Sequence, residues 1–151
     1  MQDKLSIDEI AYCGLNCHLC NLTTILPDAA ASLRDIMQGD GWDKFGQLLY
    51  PEFASFWKIL KELSALKETC PMCKGGCGNP ECPFRICARE RGLQLCAECP
   101  DYPCQPLKVF FTGHYEKLAV NNERIREIGI EAWLEEQQKL VDAGLCFRDL
   151  V

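Results

Sequence analysis

Cysteine constrains this chain more than any other residue. Twelve are present, and all but Cys146 fall into two blocks. The first is Cys13, Cys17 and Cys20, within "YCGLNCHLC". The second holds Cys70, Cys73, Cys77, Cys82, Cys87, Cys96, Cys99 and Cys104. In "CPMC" and "CAEC" two residues separate the thiols, a spacing that lets one tight turn aim both sulfurs at a single ion. Two such pairs, with further cysteines between and after them, point to metal.

A disulfide scaffold is the main alternative, but disulfide-dense chains tend to be shorter and secreted. The N-terminal "MQDKLSIDEIAY" lacks a basic stretch followed by an apolar run, so a signal peptide is not expected. No apolar run approaches the ~20 residues needed to span a bilayer. The expected compartment is therefore the reducing cytoplasm, where clustered thiols favour metal over disulfide. Haem attachment fails on spacing, because three residues separate Cys13 from Cys17 where the C-x-x-C-H signature needs two. What remains of "YCGLNCHLC" is three-quarters of a metal site. His18 or a cysteine of the second block completes it, and the second is the expected choice.

Eleven clustered cysteines, Cys13 to Cys104, with His18 would fill three four-coordinate zinc sites. Two sites with spare thiols fit almost as well. The net charge is −6 before any thiolate is counted. Eleven thiolates around three zinc ions would carry it to about −11. That balance disfavours a nonspecific grip on nucleic acid, which needs Lys and Arg to displace counterions. The only cations concentrated near the cysteines are Lys74, Arg85, Arg89 and Arg91, and their expected role is to offset thiolate charge.

Helical patterns surround the cysteine blocks. "PEFASFWKILKELSALKE" repeats apolar residues at Phe53, Phe56, Trp57, Leu60 and Leu63, a stripe expected to pack as core. Asp28 to Met37 is a shorter candidate, with Pro27 before it and Gly39 after it. Past Cys104, "PLKVFFTGHYEKLAVNNERIREIG" reads as two segments broken near Gly113. "IEAWLEEQQKLVDAG" follows, with Ile130, Trp133, Leu134, Leu140 and Val141 to one side and Gly144 as its stop. Pro83 should open a helix with Cys82 as N-cap, its thiolate favoured by backbone N–H groups, and Gly92 should close it. The expectation is a mainly α fold: one small helical domain over residues 1–151, around a loop-rich cysteine-ligated zinc centre with room for short β-hairpins. Residues 13–20 and 70–104 would bind metal, and 28–68 and 105–144 would form the frame.

Cys146 reads as a buried hydrophobe, His114 as a helix-boundary residue, and the acids of "ERIREIGIEAWLEE" as a solvated face. None suggests a catalytic pair.

The stretches "CGLNCHLC" (13–20), "CPMCKGG" (70–76), "CPFRICARERG" (82–92) and "CAECPDYPC" (96–104) resemble an uncharacterised bacterial and archaeal cysteine-rich family, domain of unknown function 3795. The resemblance implies a small zinc-binding protein without an established activity. Carried over by position, it supports Cys13, Cys17, Cys20, Cys70, Cys73, Cys82, Cys87, Cys96, Cys99 and Cys104; it leaves His18 and Cys77 outside the pattern.

Four functions compete. A zinc-stabilised binding or adaptor module is favoured, because tetrathiolate sites are closed and no acids pair near the thiols. A thiol-based redox or metal-thiolate enzyme would place C-x-x-C in a βαβ setting that is not seen here. An iron–sulfur electron carrier remains open, since C-x₃-C-x₂-C at 13–20 can bind [4Fe–4S]. A nucleic-acid-binding zinc knuckle is the weakest, given the acidic balance. The partner, a protein on the favoured reading, is not specified, and no membrane association is expected.

Overall fold

The computed structural model describes residues 4–151. The chain is mainly α-helical, with eight α-helices and no strand among the described residues. The hairpins allowed for in the cysteine loops do not form there; an isolated antiparallel bridge joins Ile10 to Asn16. Glycine- and proline-rich loops close instead through local turns, such as Gly76 N–H to Cys73 O and Cys99 N–H to Cys96 O, both 3.1 Å. No helix among the described residues is long and apolar enough to cross a membrane. Two compact units form: Asn21–Cys70, and the chain up to Cys20 together with Pro71–Val151.

The Asn21–Cys70 unit holds α1 (Ile25–Gly39), α2 (Trp42–Leu49), α3 (Phe53–Ser64) and the single turn α4 (Leu66–Thr69). Helix α1 starts two residues before Pro27, which the sequence pattern places ahead of the helix. Proline fits in this first turn because its missing N–H would have had no intrahelical partner. Helices α1 and α3 form the main packed pair. Of the aromatic stripe, Phe53 and Leu60 are buried, but Phe56 is 41% exposed, so the stripe is only partly core. One face of α3 meets α1, and Trp57 beside it is half-buried. Helix α2, not among the expected elements, begins after Gly41 at φ +81° and leaves Leu48 86% exposed.

The other unit holds α5 (Pro83–Glu90), α6 (Gln105–Phe110), α7 (Glu116–Ile128) and α8 (Ile130–Asp142). Pro83 opens α5 and Cys82 is its N-cap by position, but the Cys82 side chain makes no capping hydrogen bond. The expected help from backbone N–H groups is therefore absent. Gly92 ends α5 at φ +67°, with Leu93 N–H returning to Ala88 O at 2.9 Å. The break near Gly113 is a 3-10 turn at Gly113–Tyr115.

Two apolar cores hold this unit. Phe84 and Ala88, one turn apart on α5, join Tyr12, Leu107, Phe111, Leu118, Phe147 and the Cys96 side chain. Trp133 and Leu134 of α8 join Leu5, Ile10, Leu95, Ala97 and Ile125. Burying a side chain such as Leu118 fully contributes roughly 1.5–3 kcal/mol. On α8 the third buried position is Gln137, while Ile130, Leu140 and Val141 are half-buried.

Cys146 is buried as expected, but it also caps. Its N–H and Sγ–H both donate to Asp149 Oδ2, at 2.8 and 2.9 Å, fixing the final 3-10 turn at Phe147–Leu150. His114 is exposed and sets its ring edge-on to Tyr115 and Phe147. In the acidic tail, Glu127 and Glu136 pair with Arg124 as a solvated network.

Candidate metal centre

The first cysteine block is built from nested turns. Ala11 N–H donates to Leu15 O at 2.8 Å and Gly14 N–H to Ala11 O at 2.9 Å, closing a loop with Cys13 at its bend. Gly14 sits at φ +87°, and a Cβ there would meet the Asn122 amide at 2.6 Å. Only glycine fits both demands. Asn122, fully buried on α7, donates to Cys13 O at 2.7 Å; Asn121 donates to Gly14 O at 3.1 Å. The turn then continues through Cys20 N–H to Cys17 O at 3.2 Å.

The second block is tied to the first. Cys96 N–H donates to Tyr12 O at 2.7 Å. Cys73 N–H donates to the sulfur of Cys17 at 3.4 Å. Within "CPMC", Met72 takes φ +61°, a left-handed conformation that costs a non-glycine residue about 1–2 kcal/mol. It turns the chain so that Cys73 faces the first block. Glu98 holds the "CAEC" turn by accepting from Gln94 and Leu95 N–H at 3.1 and 3.0 Å.

The thiols gather into two overlapping neighbourhoods. Burial pushes the Cys13 thiol up to about 12; a hydrogen bond from Leu15 opposes this, and nearby Cys73, Cys96 and Cys82 add to it. Burial likewise lifts Cys17 to about 12, opposed by the Cys73 N–H and reinforced by Cys73, Cys20 and Cys13. Cys96 rises to about 12 through burial, then through Cys104, Cys87, Cys99 and Cys82. Cys13, Cys82 and Cys104 also pack against the core that contains Cys96. Without a cation these three thiols are protonated at neutral pH.

Cations line this cluster. Arg85, 5% exposed, directs Nη2 to Cys73 Sγ at 3.8 Å and donates to the Cys77 carbonyl. Its Nε has no hydrogen-bond partner, and among the described residues no carboxylate pairs with it. Arg89, one turn on, donates to Lys74 O at 2.8 Å, so α5 clamps the 74–77 loop at both ends. Arg91 Nη1 reaches Cys99 Sγ at 3.0 Å and Asp101 at 2.7 Å. Lys74 donates to Ile7 O at 2.7 Å and lies over the Tyr12 ring. Burial pulls the Lys74 pKa down, against the pull of Asp8, Glu98, Cys17 and Cys73.

His18 is engaged elsewhere. Its Nε2 lies 2.7 Å from Glu9 Oε1. Burial raises the Glu9 pKa, but hydrogen bonds from His18 and from the Ser6 N–H outweigh it and hold the carboxyl below its usual range.

Ten of the expected ligands lie in the unit that carries this cluster: Cys13, Cys17, Cys20, Cys73, Cys77, Cys82, Cys87, Cys96, Cys99 and Cys104. Cys70 ends the Asn21–Cys70 unit, just past α4. Cys13, Cys70, Cys73, Cys82, Cys87, Cys96, Cys99, Cys104 and Cys146 carry free thiols. Among the described residues, no three Cys, His, Asp or Glu side chains stand as a ready-made metal-holding group. The donor chemistry nevertheless fits a soft, thiolate-preferring ion: clustered sulfurs, N–H donors at Cys17 and Cys99, and a buried guanidinium lacking a carboxylate. Sequence reasoning missed Asn121 and Asn122. Their signal was the pair of weak helix formers within "AVNNER", which side-chain hydrogen bonding to another loop explains.

Residues 9–109 match the model of the family described as Protein of unknown function (DUF3795). The chain belongs to this family. The DUF3795 match takes in all eleven clustered cysteines and ends before α7, which supplies the asparagine clamp on Cys13 and Gly14. No curated protein and no solved structure matches the chain.

Proposed function

We propose that this DUF3795 chain is a metal-stabilised binding module whose thiols hold two zinc ions and perform no chemistry. Cys13, Cys17, Cys20 and Cys73 form one ligand set. The second draws four ligands from Cys82, Cys87, Cys96, Cys99 and Cys104. The proposal does not depend on Cys70, Cys77 or His18.

Arg85 carries the reading. A guanidinium remains charged at any working pH, and burying it without a counter-ion costs several kcal/mol. The groups it meets are a carbonyl and the Cys73 sulfur. Neutral thiols leave that charge uncompensated; a site with an excess of thiolate compensates it. Bound zinc would supply the positive charge that keeps buried thiols ionised and would cross-link the two cysteine blocks. A closed tetrathiolate set leaves no position for substrate, which supports binding over catalysis.

Chelation under reducing conditions tests this reading. Loss of cooperative thermal unfolding when metal is removed, restored by zinc, is the expected result. A metal-free chain that keeps its full helicity and cooperative melt would contradict it.

A further inference from the structure

The Asn21–Cys70 unit carries a cleft of about 300 Å³ between α1, α2 and α3, lined by Met37, Trp42, Tyr50, Glu52, Phe53 and Phe56. That size lies at the lower end of small-ligand pockets. Four aromatic rings line it, with Tyr50 and Phe56 flanking the Trp42–Phe53 pair. Trp42 lies near-parallel to Tyr50, with centroids 6.4 Å apart, and 6.3 Å from Phe53; Phe56 is tilted 5.9 Å from Phe53.

The cleft is held in place by α2. Gly46 is buried against the Phe53 ring, and a Cβ there would come within 2.7 Å of it. A glycine in mid-helix lowers helix stability, and here it lets the Phe53 ring seat directly on the α2 backbone. Tyr50 is 57% exposed, so the aromatic wall continues to the surface.

Glu52 decides what such a cleft would take. Glu52 is an exposed residue of the lining, and no ion pair or side-chain hydrogen bond engages it among the described residues. Aromatic faces carry negative potential and attract cations. One carboxylate among carbon walls cannot satisfy a metal ion, which needs several oxygen ligands. A primary ammonium is strongly hydrated, whereas methyl groups on nitrogen weaken hydration and match the apolar walls. A neutral apolar ligand would fill the walls but leave Glu52 unused.

We infer that the Trp42–Tyr50–Phe53–Phe56 cleft, with Glu52 on its lining, is a binding site for a quaternary ammonium group. The site lies wholly within residues 21–70 and does not rest on the metal reading, so either can fail alone.

The full chain would be titrated with choline and with its neutral isostere 3,3-dimethyl-1-butanol. The readout is the indole N–H resonance of Trp42, assigned with Trp42→Phe. Choline should shift it saturably, and the isostere should bind roughly tenfold more weakly. Glu52→Gln should weaken choline by a similar factor without changing the thermal melt, and Tyr50→Leu, at an exposed position, should also weaken it. Equal affinity for choline and the isostere would overturn the assignment, as would choline binding indifferent to Glu52→Gln. A Trp42 resonance that choline never saturates would overturn it as well.

Discussion

The guanidinium of Arg85, 5% exposed, lies 3.8 Å from the sulfur of Cys73, and no carboxylate among the described residues shares it. This pairing makes two opposite predictions for one substitution. Arg85→Met removes a charge that goes uncompensated when metal is absent, so the metal-free chain should keep at least as much helicity with the substitution as without it. The same change strips the thiolate centre of its counter-ion, so zinc affinity should fall about 10–100-fold in competition with a chromophoric chelator. Unchanged zinc affinity would show that Arg85 has no part in the centre.

Asn122 holds the Cys13 turn from outside the matched family region. Asn122→Ala leaves the carbonyls of Cys13 and Leu118 without this donor, at a cost of about 1–3 kcal/mol. Chemical denaturation of zinc-loaded protein should register the loss. Gly14→Ala should be at least as damaging, because it combines φ +87° with the 2.6 Å approach to the same amide. A denaturation midpoint unmoved by either change would rule out the clamp.

His18 is committed to Glu9 at 2.7 Å. His18→Ala should therefore leave the number of bound metal ions unchanged. Loss of one equivalent on elemental analysis would make His18 a ligand and remove Cys73 from the first set.

Asp149 accepts two hydrogen bonds from Cys146, and these hold its carboxyl below the ordinary Asp range; burial opposes the shift and Arg148 assists it. A lowered folded-state pKa stabilises above the unfolded value and loses that contribution as pH falls through the folded one. Asp149→Asn should therefore lower the melting temperature at neutral pH and converge with the unsubstituted chain in strong acid. Equal melts at neutral pH would remove the cap from the account.

Much of this was legible in the residues. Apolar spacing marked α3 and α8, the break near Gly113 set off α7, and Pro83 with Gly92 bracketed α5, because those signals are local. The same locality hid α2: Trp42, Phe45 and Leu49 recur at helical spacing over only two turns, and Gly46 reads as a breaker until Phe53 is seen against it. At the site, spacing identified which cysteines were candidates but not which neighbours they would have. The approach of Cys73 to Cys17 spans 56 residues, and no local pattern encodes it. Arg85 was legible as a cation near thiols; its burial was not, since that depends on how α5 seats Phe84 and Ala88 in the core.

The claim that the thiols form a zinc centre is tested most directly by elemental analysis of anaerobically purified protein together with its absorbance spectrum. The account predicts two zinc ions per chain, retained through gel filtration, and no visible absorbance. A colourless chain without bound metal would contradict it, as would a coloured one containing iron and labile sulfide.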